Sequence, residues 1–247
     1  MVEKIKEFII IFLFGFNLFS NENVFKKGVD FFNAGNYKEA LEEWKKIEKE
    51  YKDFRIFYNI GNAYAKLNKI GYAMLYYEKA LKLKQDKRIE DNINFLKLKM
   101  LDKVEEAPKT PLRRTLEKIY KKLNINNLLY PFSISFLLIN LIITFYLLSP
   151  LKFPKSLLIL SSFLVALFLI TGLLIFHFWY MEKNVIYGVM LEEAVPVKSA
   201  PMEESIELFI IHEGLKVRVF EEVGNWVRIA LSNGMSGFVL KDSLSII

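Results

Sequence analysis

The sequence contains no cysteine, and only 2 of its 247 residues are histidine. Without a thiol, disulfide frameworks, thiolate metal sites and cysteine-based catalysis are all excluded. Charge is missing over two long stretches, since no Asp, Glu, Lys or Arg lies between Lys122 and Lys152 or between Lys155 and Glu182. A helix needs about 20 apolar residues to cross the hydrocarbon core of a membrane. Each uncharged stretch is therefore long enough to span one.

The two uncharged stretches predict a transmembrane hairpin with helices at 128–148 and 157–179. The short loop between them, at 149–156, contains two prolines and two lysines, a composition typical of a tight connection. The alternative is a pair of buried helices in a soluble core, which two such runs in tandem disfavour. Hydrophobic residues make up 53% of the chain, which is high for a globular protein, and these runs account for much of the excess.

The first 20 residues have the three parts of a secretory signal. Lys4 precedes an apolar run that ends at Phe19, and Ser20 supplies a small residue for cleavage. The run is too short for a spanning helix, so residues 1–20 predict a signal peptide. An uncleaved anchor is the alternative, because the residue two places before Ser20 is a large leucine. In either case we expect the domain that follows to be exported.

Basic residues give the chain a net charge of +6 and crowd into 79–103 and 113–122. This placement beside apolar segments favours lipid head groups over nucleic acid, for which no motif is present. Residues 107–127 predict a linker and a basic amphipathic helix on the membrane surface. The positive-inside rule would place both this basic stretch and the lysine-containing hairpin loop in the cytoplasm. One span separates the two segments, so they cannot lie on the same side, and we let the signal peptide decide the orientation. It places the chain in a bacterial inner membrane with both soluble domains in the periplasm.

Residues 21–106 contain an internal repeat of about 33 residues. Each unit predicts two helices joined by a turn, at 34–36 and at 67–69. Small residues recur where two helices would come close, and large residues recur where neighbouring hairpins would pack: Gly28 with Gly61, Ala40 with Ala73, Phe31 with Tyr64, and Trp44 with Tyr77. A further apolar stripe at helical spacing predicts a helix that caps the open end: Ile89, Ile93, Leu96, Met100 and Val104.

These residues resemble the tetratricopeptide repeat over about residues 21–86. The resemblance implies an all-α solenoid whose first helices line a groove that binds partner proteins. The partner-binding residues that it implies are Asn33, Arg55, Tyr58, Asn62 and Lys66, with Phe25, Val29, Phe32 and Ala65 beside them. In this family an asparagine at the position of Asn62 often hydrogen-bonds the backbone of an extended peptide. Phe25 and Phe32 could equally pack against the repeat, and Lys66 could be a solvated lysine.

After Tyr180 the apolar pattern changes to period two, which is typical of β-strands. Five short strands are predicted, at 185–191, 208–211, 217–220, 226–231 and 237–240. The pair Asn233-Gly234 is a strong hairpin signal. Five strands in so short a segment imply a small barrel.

Residues 185–247 resemble a bacterial SH3-like domain, through the segments 208–214, 216–219, 225–229 and 237–240. That family typically has Gly-Trp where Asn225-Trp226 and Gly237-Phe238 stand, and the second departure keeps an aromatic residue. Residues 195–201 would then form the variable first loop of that family. The resemblance implies binding of proteins or of cell-wall peptides, with Trp226 and Phe238 as partner-binding residues. The alternative for both side chains is a place in the core.

The order of the parts resembles the BatE-like aerotolerance-operon family. The predicted fold class is multidomain: a tetratricopeptide-repeat solenoid, a two-helix transmembrane hairpin and a small all-β SH3-like barrel. The family implies a place in an envelope complex, with von Willebrand A-domain membrane proteins and a MoxR-type ATPase as partners. We therefore predict a protein–protein interaction scaffold. The alternative is a protein that binds peptidoglycan peptides.

No catalytic or metal-binding constellation is evident, so the sequence predicts neither an enzyme nor a cofactor. Ser236 lies between glycines but lacks the spacing of a nucleophile elbow. His212 is predicted to lie in a turn without a second histidine nearby, and His177 near the aromatic end of the second span. An enzyme or transporter of unfamiliar type is the remaining alternative.

Overall fold

The computed structural model describes residues 22–104, 125–148 and 155–247. Two compact units emerge, one from Met1–Glu105 together with Ile186–Ile247, the other from Glu106–Val185. The predicted combination of several helices, two of them long and apolar, with a β-sheet is confirmed. The predicted signal peptide, most of the basic stretch at 107–127 and most of the loop at 149–156 lie outside the described residues.

The first part of the larger unit consists of consecutive α-helices. Residues 22–33 are helical (α1), and four helices follow: α2 (Tyr37–Glu48), α3 (Phe54–Lys66), α4 (Ile70–Leu83) and α5 (Lys87–Lys99). The turn after α1 places Gly35 at φ 83°, and the turn after α3 places Asn68 at φ 56°. Glycine and asparagine are the residues that tolerate this left-handed backbone best. The two tight turns make antiparallel hairpins of α1 with α2 and of α3 with α4.

Two glycines explain how closely the helices of each hairpin approach. A Cβ atom on Gly28 would overlap the indole of Trp44, and one on Gly61 would lie 2.6 Å from the ring of Tyr77. Trp44 and Tyr77 are almost completely buried. In each hairpin the repeated glycine therefore packs directly against the repeated large aromatic residue.

Helix α5 repeats the start of α3 at the same spacing of residues. Asp53 and Asp86 precede the two helices, and each accepts a hydrogen bond from a backbone N–H two residues later. Each aspartate also forms an ion pair with that same residue, Arg55 at 2.6 Å and Arg88 at 2.7 Å. The apolar stripe of α5 is buried in the core through Ile89, Ile93 and Leu96. The repeat thus extends to α5, which stands where the first helix of a third unit would be.

The second part of the larger unit is a seven-stranded antiparallel sheet in the order β3-β2-β6-β5-β4-β1-β7. The strands are β1 (Ile186–Met190), β2 (Ala194–Lys198), β3 (Glu207–His212), β4 (Lys216–Val223), β5 (Trp226–Ala230), β6 (Ser236–Leu240) and β7 (Leu244–Ile246). One face of the sheet carries an apolar core that includes Val217, Val227, Ile229 and Val239.

The prediction of five strands was wrong, because β2 and β7 were missed. Residues 195–201 were expected to form a loop, but most of them belong to β2. The proline in β2, Pro196, lies opposite Ile210 of β3 and cannot donate a ladder hydrogen bond, so the segment reads as a poor strand. Strand β7 has three residues, too few for a period-two pattern. His212, expected in a turn, ends β3.

The smaller unit contains the two long apolar helices, α6 (Ile125–Leu148) and α7 (Lys155–Asn184). The less exposed positions include two series spaced alternately three and four residues apart, at 128, 132, 135, 139 and 142 of α6 and at 157, 161, 164, 168, 171 and 175 of α7. This spacing is that of a left-handed helix pair. The rings of Phe132 and Phe168 stack with centroids 4.5 Å apart. By length and composition, the segments Asn127–Leu148 and Ser156–Tyr180 could each cross a membrane.

Candidate partner-binding surfaces

The side chain of Asn62 lies at the centre of a hydrogen-bond network that joins α3, α4 and α5. Its Oδ1 accepts from the hydroxyl of Tyr77 at 2.7 Å and from Nδ2 of Asn92 at 3.1 Å. Asn92 Nδ2 is also 3.4 Å from the hydroxyl of Tyr58. Burial raises the pKa of Tyr77, which keeps its hydroxyl protonated as a donor. The described hydrogen bonds of Asn62 use its Oδ1.

Arginine side chains lie beside this network on the same helices. The guanidinium of Arg55 binds both carboxylate oxygens of Asp53, and this contact lowers the pKa of that carboxyl group. Arg88 binds Asp86 in the same way and holds the pKa of Asp86 at about 2. The Arg88 guanidinium also lies 5.9 Å from the ring centroid of Tyr58. Both arginine side chains remain mostly exposed.

The other residues predicted for the groove divide into exposed and packed ones. Asn33 and Lys66, at the ends of α1 and α3, are exposed. Phe25, Val29, Phe32 and Ala65 are partly buried and pack against the hydrophobic core. Phe32 also meets Tyr37 edge to face at 5.2 Å. The aromatic side chains of α1 therefore stabilise the repeat, and the polar ones remain available.

Trp226 and Phe238, predicted to bind partners, lie on one face of the neighbouring strands β5 and β6. Trp226 is opposite Leu240, and Arg228 is opposite Phe238, so alternation puts all four on the face away from the buried valines. Trp226 and Phe238 are half-buried and Leu240 is exposed. The three apolar side chains form a surface cluster flanked by the cation of Arg228.

The helices and the sheet contact each other along one side of α4. The backbone N–H of Gly71 donates to Glu213 Oε2 at 2.9 Å, and Lys216 Nζ is 2.7 Å from Glu78 Oε2. One turn further along α4, Lys82 Nζ donates to the carbonyl oxygen of Ile247 at 3.1 Å. The backbones come so close that a Cβ on Gly71 would lie 2.7 Å from the carbonyl oxygen of Met190. This helix–sheet contact runs from the first turn of α4 to its last.

A second junction connects the end of the helical part to β3. The backbone N–H of His212 donates to Asp102 Oδ2 at 2.6 Å, and its ring Nδ1 lies 2.9 Å from Asp102 Oδ1. A cleft of about 390 Å³ lies beside this pair, between residues 101–104 and residues 209–211. His212 therefore has a structural partner that its surroundings in the sequence do not suggest.

Sequence reasoning missed the residues of both junctions. Gly71 and Glu213 are 142 residues apart, Glu78 and Lys216 138 apart. No periodic signal connects residues at such distances. Within the described residues no cluster of three or more His, Cys, Asp or Glu could hold a metal ion.

Comparison of the sequence with models of known protein families gives no match, and comparison with curated proteins gives no significant match. The likeness to tetratricopeptide repeats, to SH3-like domains and to the BatE-like family therefore rests on the residues named above.

Proposed function

We propose that this protein is a membrane-anchored scaffold that binds other proteins through the groove of its helical repeat and through its β-domain. In this proposal the helices are a tetratricopeptide-repeat solenoid, the sheet is an SH3-like barrel, and the chain is a relative of the BatE-like family. The proposed partners are envelope proteins, such as von Willebrand A-domain membrane proteins and a MoxR-type ATPase system.

The observation that carries the proposal is which helices the β-domain contacts. Its contacts run along α4 and residues 100–104, whereas the polar side chains of Asn33, Arg55 and Lys66 remain exposed. A helical array that contacts its own β-domain through α4 and keeps polar side chains exposed on α1 and α3 is suited to hold a partner. Arg55, Arg88 and the exposed amide of Asn33 favour a partner segment with carboxylates and backbone carbonyls.

Membrane anchoring is supported by the two candidate spans and by the larger unit itself. The helical repeat precedes α6 and α7 in the chain, the β-domain follows them, and the two contact each other. A hairpin that crosses the membrane twice returns the chain to the side from which it started. The internal contacts of the larger unit are compatible with a two-span hairpin, and they support the proposal that both soluble parts lie on one side of the membrane. We assign that side to the periplasm of a bacterial inner membrane.

The proposal can be tested by site-specific crosslinking, because the natural chain has no cysteine. Single cysteines replace Asn33 and Lys66 on the exposed groove and Glu42 on α2 as a matched exposed control. Each variant is labelled with a photoactivatable thiol reagent in intact membranes. We expect discrete protein adducts at positions 33 and 66 and none at position 42. Equal labelling at all three positions, or adducts to lipid alone, would contradict the groove assignment.

A topology reporter, active only after export, provides the independent test of membrane placement. Fusions after Val104 and after Ile247 are expected to be active, and a fusion in the loop at 149–154 is expected to be inactive. Opposite activities would place both soluble parts in the cytoplasm.

The apolar cluster of Trp226, Phe238 and Leu240 favours a second candidate function, recognition of cell-wall peptides. If this is correct, the full-length protein in detergent sediments with purified peptidoglycan, and Trp226→Ala reduces the sedimented fraction while Met235→Ala does not. Absence of sedimentation would show that the cluster does not bind peptidoglycan, and binding of proteins would remain as its proposed role.

A further inference from the structure

Asn140 is a carboxamide in the interior of an apolar helix. It lies inside the candidate span Asn127–Leu148, about two helical turns or more from each end. Its side chain is exposed. Among the described residues of α6 and α7, the other asparagines lie close to helix ends, where water or lipid head groups can solvate them. Asn140 has no such solvent if the helix crosses a membrane.

The hydrogen bonds of Asn140 are only partly satisfied within its own helix. Its Nδ2 donates to the carbonyl oxygen of Phe136 at 2.8 Å. A carboxamide has two N–H donors and a carbonyl oxygen with two lone pairs, so one N–H and the oxygen Oδ1 remain. The hydroxyls of Ser135, Ser161 and Ser162 differ, because each gives its only proton to a carbonyl three residues earlier. Asn140 thus keeps a donor and an acceptor for a further partner.

The contact between α6 and α7 does not cover Asn140. The buried or half-buried side chains of α6 at this level are Ser135, Ile139 and Ile142, whereas Asn140 and Ser133, seven residues earlier, are exposed. Seven residues are two helical turns, so the two side chains lie in one row. This row flanks the α7 contact and points toward lipid in a single hairpin.

We propose that α6 binds α6 of a second copy of this chain through the row containing Ser133 and Asn140. A carboxamide is self-complementary: about a two-fold axis, the free N–H of each Asn140 can donate to Oδ1 of the other. Interhelical amide hydrogen bonds stabilise helix association in lipid because no water competes for them. Ser133 is small and allows the two backbones to approach. The resulting dimer would present two repeat grooves on one side of the membrane, and it rests on the proposed membrane-spanning hairpin.

The test uses the full-length protein in native membranes and in proteoliposomes that contain no other protein. Ser133→Cys introduces a single thiol in the proposed contact, and Phe163→Cys introduces one on an exposed face of α7. We expect oxidation to give a disulfide-linked dimer for Ser133→Cys and not for Phe163→Cys. In fluorescence-transfer titrations in proteoliposomes, Asn140→Val should weaken association by about 3- to 30-fold, the range for interhelical polar contacts. Ser162→Val, which removes a self-satisfied hydroxyl, should leave association unchanged.

Each remaining outcome overturns the proposal. A monomer in proteoliposomes, a crosslink at position 163 instead of 133, or association unaffected by Asn140→Val excludes a dimer through this row. A crosslink to a different protein in native membranes, with none in proteoliposomes, assigns the row to a partner helix. Resistance of all variants to carbonate extraction shows that insertion is intact. A monomer that still gives adducts at positions 33 and 66 would therefore overturn the dimer alone and leave the scaffold.

Discussion

Glu213, in the turn after β3, caps the first turn of α4 by accepting the backbone N–H of Gly71 at 2.9 Å. The first N–H groups of a helix have no partner within it, and a carboxylate there also interacts favourably with the helix dipole. The residue before α4, Lys69, gives no side-chain cap. The β-domain thus supplies a cap that the local sequence lacks. Stability of α4 and attachment of the β-domain are therefore linked.

Gly71→Ala should weaken this attachment. The new methyl group would lie 2.7 Å from the carbonyl oxygen of Met190, a backbone atom that cannot move alone. Overpacking of this kind lowers the free energy of unfolding by about 1–3 kcal/mol. Chemical denaturation of the full-length protein in detergent measures the loss, with Lys69→Ala, at an exposed neighbouring position, as control. If Gly71→Ala lowers the free energy of unfolding no more than Lys69→Ala does, the close contact between α4 and the β-domain does not contribute to stability.

Charge exchange tests the contact between Glu78 and Lys216. The side chain of Glu78 is 10% exposed and that of Lys216 is 40% exposed, so the pair is less screened than a surface pair. We expect Glu78→Lys and Lys216→Glu each to lower the free energy of unfolding by about 1–3 kcal/mol. The double variant should recover about 1 kcal/mol or more through the restored pair. Strictly additive losses in the double-mutant cycle would mean that the two side chains do not interact.

The sequence predicts features of this fold that depend on local pattern. Helix pairs, their turns and the two apolar helices follow from periodicity over a few residues, and Gly28 and Gly61 mark the close approaches. The sequence also indicates that α5 begins a third repeat unit, because Asp53 and Arg55 before and in α3 recur as Asp86 and Arg88 before and in α5. The prediction of a capping helix overlooked that recurrence.

What could not be predicted depends on residues that are distant in the chain. Nothing near Gly71 indicates Glu213, and nothing near His212 indicates Asp102, because neither partner stands at a periodic spacing. Strand β2 was missed for a different reason: Pro196 removes a donor, yet its neighbours Val195 and Val197 are buried. The sequence correctly placed Asn62 on a helix. Its hydrogen bonds to Tyr77 of α4 and Asn92 of α5 could not be predicted, because they depend on how the three helices pack.

Protonation of Asp86 should remove part of the stability at acid pH. Hydrogen bonds from the Arg88 side chain and backbone lower its pKa from 3.8 to about 2. A carboxyl group with a lowered folded-state pKa stabilises the protein above its unfolded pKa, and this contribution is lost as pH falls through the folded pKa. Stability should therefore decline between about pH 4 and pH 2. Asp86→Ser keeps a capping oxygen without a titrating group and should flatten the profile in this window, as measured by thermal unfolding. An unchanged slope would assign the decline to other carboxylates.

Tyr77→Phe tests whether the Asn62 network holds the three helices together. The substitution removes the hydroxyl that donates to Asn62 Oδ1 at 2.7 Å and keeps the ring that packs against Gly61. Asn62 would then keep the single donor from Asn92, and we expect a loss of about 1–2 kcal/mol in the free energy of unfolding. Tyr72→Phe, at a partly exposed position of the same helix, is the matched control and should change stability by less than about 0.5 kcal/mol.

If the network also orients Asn62 Nδ2 toward a bound peptide, Tyr77→Phe should reduce the photo-adducts at position 66 under conditions where the protein stays folded. Unchanged adducts together with lower stability would restrict the network to a structural role and shift partner recognition to Arg55, Arg88 and Asn33.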